Sequence, residues 1–250
     1  MVRTGIGQIR ILFDIVFNPQ NLIESSSQYT DQSAVNRLST IISVTVFFLL
    51  NVILYALPLS LQGIGFVDAD IIPLLINNSI SIVSFGFLTY SLYHSGIWLV
   101  RGSNGLIPSY RIVMINTSIY LAIIFNLLWI GIFISNTLTG LFNWAFQVLF
   151  ETVGYYIAIP PGFGDGFNSI NPAEVSSLLL LDRAIIVGLL ISSCYYLYVL
   201  YIGARRVHGL TRYESVLVMG FVLSSPITFA AISLIIGEYL NIPSFFRLGA

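Results

Sequence analysis

The sequence predicts an all-α membrane fold: five transmembrane helices in a bundle, an N-terminal interfacial amphipathic helix, and an outer interfacial helix. Three observations predict it. The 250 residues are 56% hydrophobic and only 8% charged, with mean hydropathy +0.89, against about a quarter charged in soluble domains. Apolar runs of about 20 residues or more, the length that crosses a bilayer as a helix, recur along the chain. The runs do not alternate every second residue as barrel strands do.

The elements follow in order. In residues 8–18, Ile9, Leu12, Phe13, Val16 and Phe17 recur at helical spacing, and Pro19 ends the run. This helix is too short to span. Either it lies among headgroups with Arg10 and Asp14 toward water, or it packs on the bundle. Residues 24–37 form a polar connector, so 1–37 reads as a cytoplasmic N-terminal segment and 38–250 as one transmembrane domain. No cleavable signal peptide of the usual layout is expected, and the first span serves as the insertion signal.

The expected spans are 38–60, 73–100, 111–135, 178–203 and 216–240. The second is longer than a crossing needs, so it is tilted or has a lead-in capped by Pro73. Pro226 is expected to kink the fifth. Residues 139–158 are also nearly long enough to cross. Their Asn143, Gln147 and Glu151 fall four apart as a polar stripe, and Trp144, Phe146, Phe150, Tyr155 and Tyr156 are interfacial residue types.

Charge decides whether 139–158 spans. With five spans and an inner N-terminus, the inner segments hold Arg3, Arg10, Arg37, Arg101, Arg111, Arg205, Arg206 and Arg212. Those are eight of the ten basic residues, all of them arginine. A sixth span would send Arg205, Arg206 and Arg212 outside, against the Lys/Arg bias that orients membrane proteins. Residues 139–158 therefore read as an outer interfacial segment. The N-terminus is cytoplasmic, the C-terminus outer, and the cell membrane of a prokaryote is the expected location.

The two inner loops echo each other. Arg101-x-x-x-Gly105-Leu106 is matched by Arg205-x-x-x-Gly209-Leu210, with Tyr110 and Tyr213 close behind. Either spans two and three repeat as spans four and five, or tight inner turns independently select arginine and glycine.

Catalytic patterns are sparse. The net charge of -1 makes no case for nucleic acid, and the single Cys194 excludes a disulfide framework. The two histidines, His94 and His208, are expected near the inner surface as ordinary interfacial residues. Hydrogen bonding to a headgroup and joint metal binding are the other options. Gly162-Phe163-Gly164-Asp165 matches a tetrapeptide of intramembrane aspartyl proteases, but that chemistry needs a second carboxylate deep in a span. A flexible turn is the better reading. Asp182 and Arg183 read as an outer anchor of the fourth span. No cofactor, metal site or catalytic residue is expected, and the chain is not expected to be an enzyme.

Three stretches resemble the Yip family (Ypt-interacting proteins), in its prokaryotic or archaeal form. They are the lead-in Phe13-Asp-Ile-Val-Phe-Asn-Pro19, the segment His94 to Tyr110, and Tyr198-x-x-Tyr201-Ile-Gly203-x-Arg-Arg-Val-His208-Gly-Leu-Thr-Arg212-x-x-Ser215. The resemblance implies five helices, a cytosolic N-terminus and a short outer C-terminus. In eukaryotic members it would imply small-GTPase partners. The N-terminal region here lacks their long acidic or aromatic-rich tail, which favours a prokaryotic relative.

The function expected is therefore membrane organisation or partner recruitment through the basic inner loops. Arg101, Arg111, Arg205, Arg206 and Arg212, with His94 and His208, are the candidate contacts for anionic headgroups, a membrane-protein partner or a second copy. The alternative is a small-solute channel or transporter subunit lined by the polar residues of spans two and three, Asn77 and Asn116 among them.

Overall fold

The computed structural model describes residues 34–66, 71–101, 104–157 and 178–239, and every regular element among them is helical. The helices are α1 (Ala34–Phe66), α2 (Ile71–Arg101), α3 (Leu106–Ile134), α4 (Asn136–Tyr156), α5 (Leu180–Val207), α6 (Arg212–Leu223) and α7 (Ser225–Tyr239). The expected helix at 8–18, the Gly162–Asp165 tetrapeptide and the lead-in to Pro19 lie outside the described residues.

Five stretches are long and apolar enough to cross a membrane: Arg37–Leu57, Ile71–Val100, Leu106–Ile132, Leu180–Val207 and Arg212–Ile236. Their number and order agree with the five expected spans. Their ends do not all agree, and the reasons are local. α2 starts at Ile71, so Pro73 sits in its first turn, and α3 starts at Leu106, so Pro108 does the same. A first-turn residue has no intrahelical partner for its N–H, so proline is tolerated there. Pro108 therefore does not delay the helix, and Arg111 lies inside α3, partly buried, instead of in a loop.

α5 runs four residues past the expected end, which places Arg205 and Arg206 in its last turn. Cations there meet the negative end of the helix dipole. At its other end, the Leu179 N–H donates to the Asp182 carboxylate at 3.0 Å. Asp182 is thus a buried cap of α5, whereas its neighbour Arg183 is exposed.

The expected kink in the last span is a break. α6 ends at Leu223 and α7 resumes at Ser225. Pro226 offers no N–H to the carbonyl four residues back, and its ring crowds that carbonyl.

The helices contribute to two compact units. Among the described residues, one unit gathers those up to 51 with those of 86–121 and 194–223, and the other gathers those of 52–85, 122–193 and 224 onward. In the first unit Tyr93, Ile97, Ile112, Val113 and Leu200 are fully buried in one apolar cluster with Val218 and Met219. Gly203 permits this packing, because a Cβ there would lie 3.0 Å from Ile112 and 3.1 Å from the Tyr93 hydroxyl. In a bilayer, where lipid tails are as apolar as leucine, such close approach and hydrogen bonding hold helices together.

In the second unit α4 packs on α7 through Phe150, Val153, Ala230 and Leu234. Ser135 caps α4 by accepting the Leu138 N–H at 3.2 Å. The polar stripe of α4 bonds along itself, the Gln147 amide donating to Glu151 at 2.7 Å. α4 is not among the five stretches long and apolar enough to cross.

Candidate functional site

The two echoing turns lie together in the first unit. They connect α2 to α3 and α5 to α6, and each pivots on its glycine. Gly105 has φ +120° and Gly209 has φ +66°, the positive-φ glycines among the described residues. A side chain is strained at such angles, which is why glycine recurs at this register.

The residues preceding the two glycines meet. The Asn104 side-chain amide donates to the Val207 carbonyl at 2.9 Å, and the Asn104 backbone N–H donates to His208 Nδ1 at 3.4 Å. From His208 the contacts continue inward. His208 Nε2 lies 3.0 Å from Ser109 Oγ, and Ser109 Oγ lies 3.0 Å from His94 Nδ1. Residues of α2, the first turn, α3 and the second turn are thereby strung on one hydrogen-bond chain.

Burial grades along this chain. Ser109 is fully buried, His208 is buried, and His94 is half-buried with Tyr90 stacked on its ring at 6.1 Å. Tyr90 also meets Tyr110 edge-on, and the Tyr110 and Thr45 hydroxyls share a hydrogen bond of 2.7 Å. Burial, and then the neighbouring His94, push the His208 imidazole down to about 4. His208 is therefore neutral at neutral pH.

The second turn shows an opposite face to the surroundings. Arg205, Arg206, Arg212 and Tyr213 are all exposed, Tyr213 to 86%. The Arg205 guanidinium sits 6.0 Å from the centre of the Tyr201 ring, within reach of a cation–π contact. Thr211 and Glu214 close a capping box at the start of α6. Glu214 accepts the Thr211 N–H at 2.6 Å, and Thr211 Oγ1 accepts the Glu214 N–H at 3.4 Å. The exposed cations thus flank a fixed helix start.

Of the residues singled out from sequence, His94, His208, Arg205, Arg206 and Arg212 come from the two turns and their flanking helices in this unit. Arg111 stands apart from them in its half-buried position within α3, and Arg101 is the last residue of α2. Ser109 and Asn104 escape sequence reasoning. Their partners lie about a hundred residues away in the chain, and no local pattern marks that pairing. The Thr-x-x-Glu of the capping box is a signal that sequence reasoning can find, and it marks the start of α6.

The arrangement suits holding better than reacting. Ser109 stands between two imidazoles, the pairing a nucleophile would need, yet it is fully buried. No group of three or more His, Cys, Asp or Glu able to hold a metal ion occurs among the described residues. Asn116 is fully buried and donates to the Ile112 carbonyl within its own helix at 2.7 Å. It packs there instead of facing an open path.

Comparisons with protein-family models, curated proteins and solved structures give no match, so they identify no relationship to the Yip family.

Proposed function

We propose that the chain is a multi-pass integral membrane protein of the Yip type, with a non-enzymatic role in organising the membrane or recruiting a partner. In this reading the five apolar helices span the cell membrane of a prokaryote, the N-terminus is cytoplasmic, and both glycine turns face the cytoplasm. α4 lies in the outer interface with its Gln147–Glu151 stripe toward water.

The observation that carries the reading is the exposed trio Arg205, Arg206 and Arg212 beside exposed Tyr213, at the ends of two apolar helices. Cytoplasmic leaflets are anionic, and each arginine near such a surface contributes about 1 kcal/mol. Tyrosine favours the same depth, since its ring is apolar and its hydroxyl polar. The trio is then a contact for anionic headgroups, or for an acidic surface on a membrane-protein partner or a second copy.

The test is lipid selectivity of the full chain in vesicles that mix zwitterionic and anionic phospholipids, read with spin-labelled lipids. Wild type should enrich anionic lipid around itself, and the R205Q/R206Q/R212Q variant should lose most of that enrichment. Equal selectivity in the two proteins, with unchanged topology and partner recovery, sinks the proposal.

A further inference from the structure

We infer that Asn104, His208, Ser109 and His94 form a one-way hydrogen-bond chain that clasps the two glycine turns while both imidazoles are neutral, and that acid releases it. This goes beyond the lipid-contact reading and does not depend on it.

The direction of every link follows from chemistry. A backbone amide can only donate, so His208 Nδ1 accepts from the Asn104 N–H at 3.4 Å. A neutral imidazole with a bare Nδ1 carries its proton on Nε2, which then donates to Ser109 Oγ at 3.0 Å. The serine proton has one acceptor left among the described residues, His94 Nδ1 at 3.0 Å. His94 is thereby also fixed as the Nε2–H tautomer. One backbone amide in the first turn sets the tautomers of two side chains more than a hundred residues apart.

Such a chain has no slack for another proton. Protonating His208 sets Nδ1–H against the Asn104 N–H, donor against donor. Protonating His94 sets Nδ1–H against the serine hydroxyl, whose own proton then loses its acceptor inside a fully buried site. An unmet buried donor costs about 1–3 kcal/mol.

The surroundings offer a cation on His208 no counter-charge. From α2 come His94 and Tyr90, and from α3 come Ser109, Tyr110 and half-buried Arg111. The second turn and its helices add Arg205, Arg206 and Arg212. Glu214 is turned to the Thr211 N–H, and among the described residues neither imidazole meets a carboxylate. Burial and the His94 ring push His208 down to about 4 from an ordinary 6.5.

The experiment uses the full chain in nanodiscs, with only histidine labelled by 15N. The chain has two histidines, and H94Q assigns them. At pH 7 both rings should show the neutral Nε2–H tautomer. On acidification His208 should stay neutral to about pH 5, and S109A should shift the resonances of both rings. Spin labels at Leu106→Cys and Tyr213→Cys, in a Cys194→Ser background, should give a narrow distance at pH 7 that broadens by pH 4. The H94Q/H208Q variant should lose that pH response. An Nδ1–H tautomer in either ring, titration of His208 near 6.5, or an acid response that persists without histidines overturns the inference. Should the double variant fail to fold, the wild-type spectrum still decides.

Discussion

The two glycine turns share a sequence pattern and a backbone device but point their chemistry in opposite directions. After Gly105 the chain turns inward: Pro108, Ser109 and Tyr110 are buried. After Gly209 it turns outward: Leu210 is buried, but Thr211, Arg212 and Tyr213 are exposed. The echo therefore marks a shared backbone device around which the side chains differ in exposure. Tyr110 and Tyr213, which extend the likeness on paper, part company here. One bonds to Thr45, and the other is among the most exposed side chains described.

The comparison is most severely broken from beneath. Gly203→Val would drive side-chain atoms into Ile112 and Tyr93, which already stand close to where a Cβ would be. Overpacking of this kind costs about 1–3 kcal/mol. The melting temperature of the detergent-solubilised chain should fall, and by more than it does for Ser109→Ala. That second variant removes both hydrogen bonds of the serine and leaves a ring nitrogen of buried His208 and one of half-buried His94 without that partner, for a loss of about 2 kcal/mol. Thermal unfolding at pH 7 checks it.

A finer prediction separates the turns themselves. Gly209, at φ +66°, lies in the left-handed region that asparagine tolerates, whereas Gly105, at φ +120°, lies beyond it. Gly209→Asn should change stability by under about 1 kcal/mol, while Gly105→Asn should cost about 1–3 kcal/mol. Equal losses would mean that the two backbones are more alike than their angles. Thr211→Ala removes one half of the capping box, which the first turn lacks at the same register, and should cost about 1 kcal/mol.

Acid perturbs the second turn without any substitution. The His208 pKa is lowered on folding, so the unfolded chain binds more protons between about 4 and 6.5. The stability from neutral His208 is complete above about 6.5 and declines as pH falls toward 4. A pH series of unfolding midpoints should show this decline in wild type, and it should shrink in His208→Gln.

Much of the architecture is legible because apolar runs of spanning length leave few alternatives. Charge counting also sets 139–158 apart from the five spans, and α4 is likewise set apart from the five long apolar helices. The expected third span opens at 111, but Pro108 sits where a helix has no hydrogen bond to lose, so α3 starts at Leu106 and already encloses Arg111. The site is less legible. His94 and His208 each look like a lone interfacial histidine, because the serine that joins them gives no signal in either neighbourhood. Asn104 is hidden for the same reason: its partners lie 103 and 104 residues along the chain.

The central claim is that the outward turn carries its cations on the cytoplasmic face of a membrane. It is tested most directly by labelling Tyr213→Cys with an impermeant maleimide, in a Cys194→Ser background that removes the chain's only other cysteine. The reagent should label sealed inside-out vesicles and leave right-side-out vesicles unlabelled. Labelling of the right-side-out vesicles would place Arg205, Arg206 and Arg212 outside and contradict that claim.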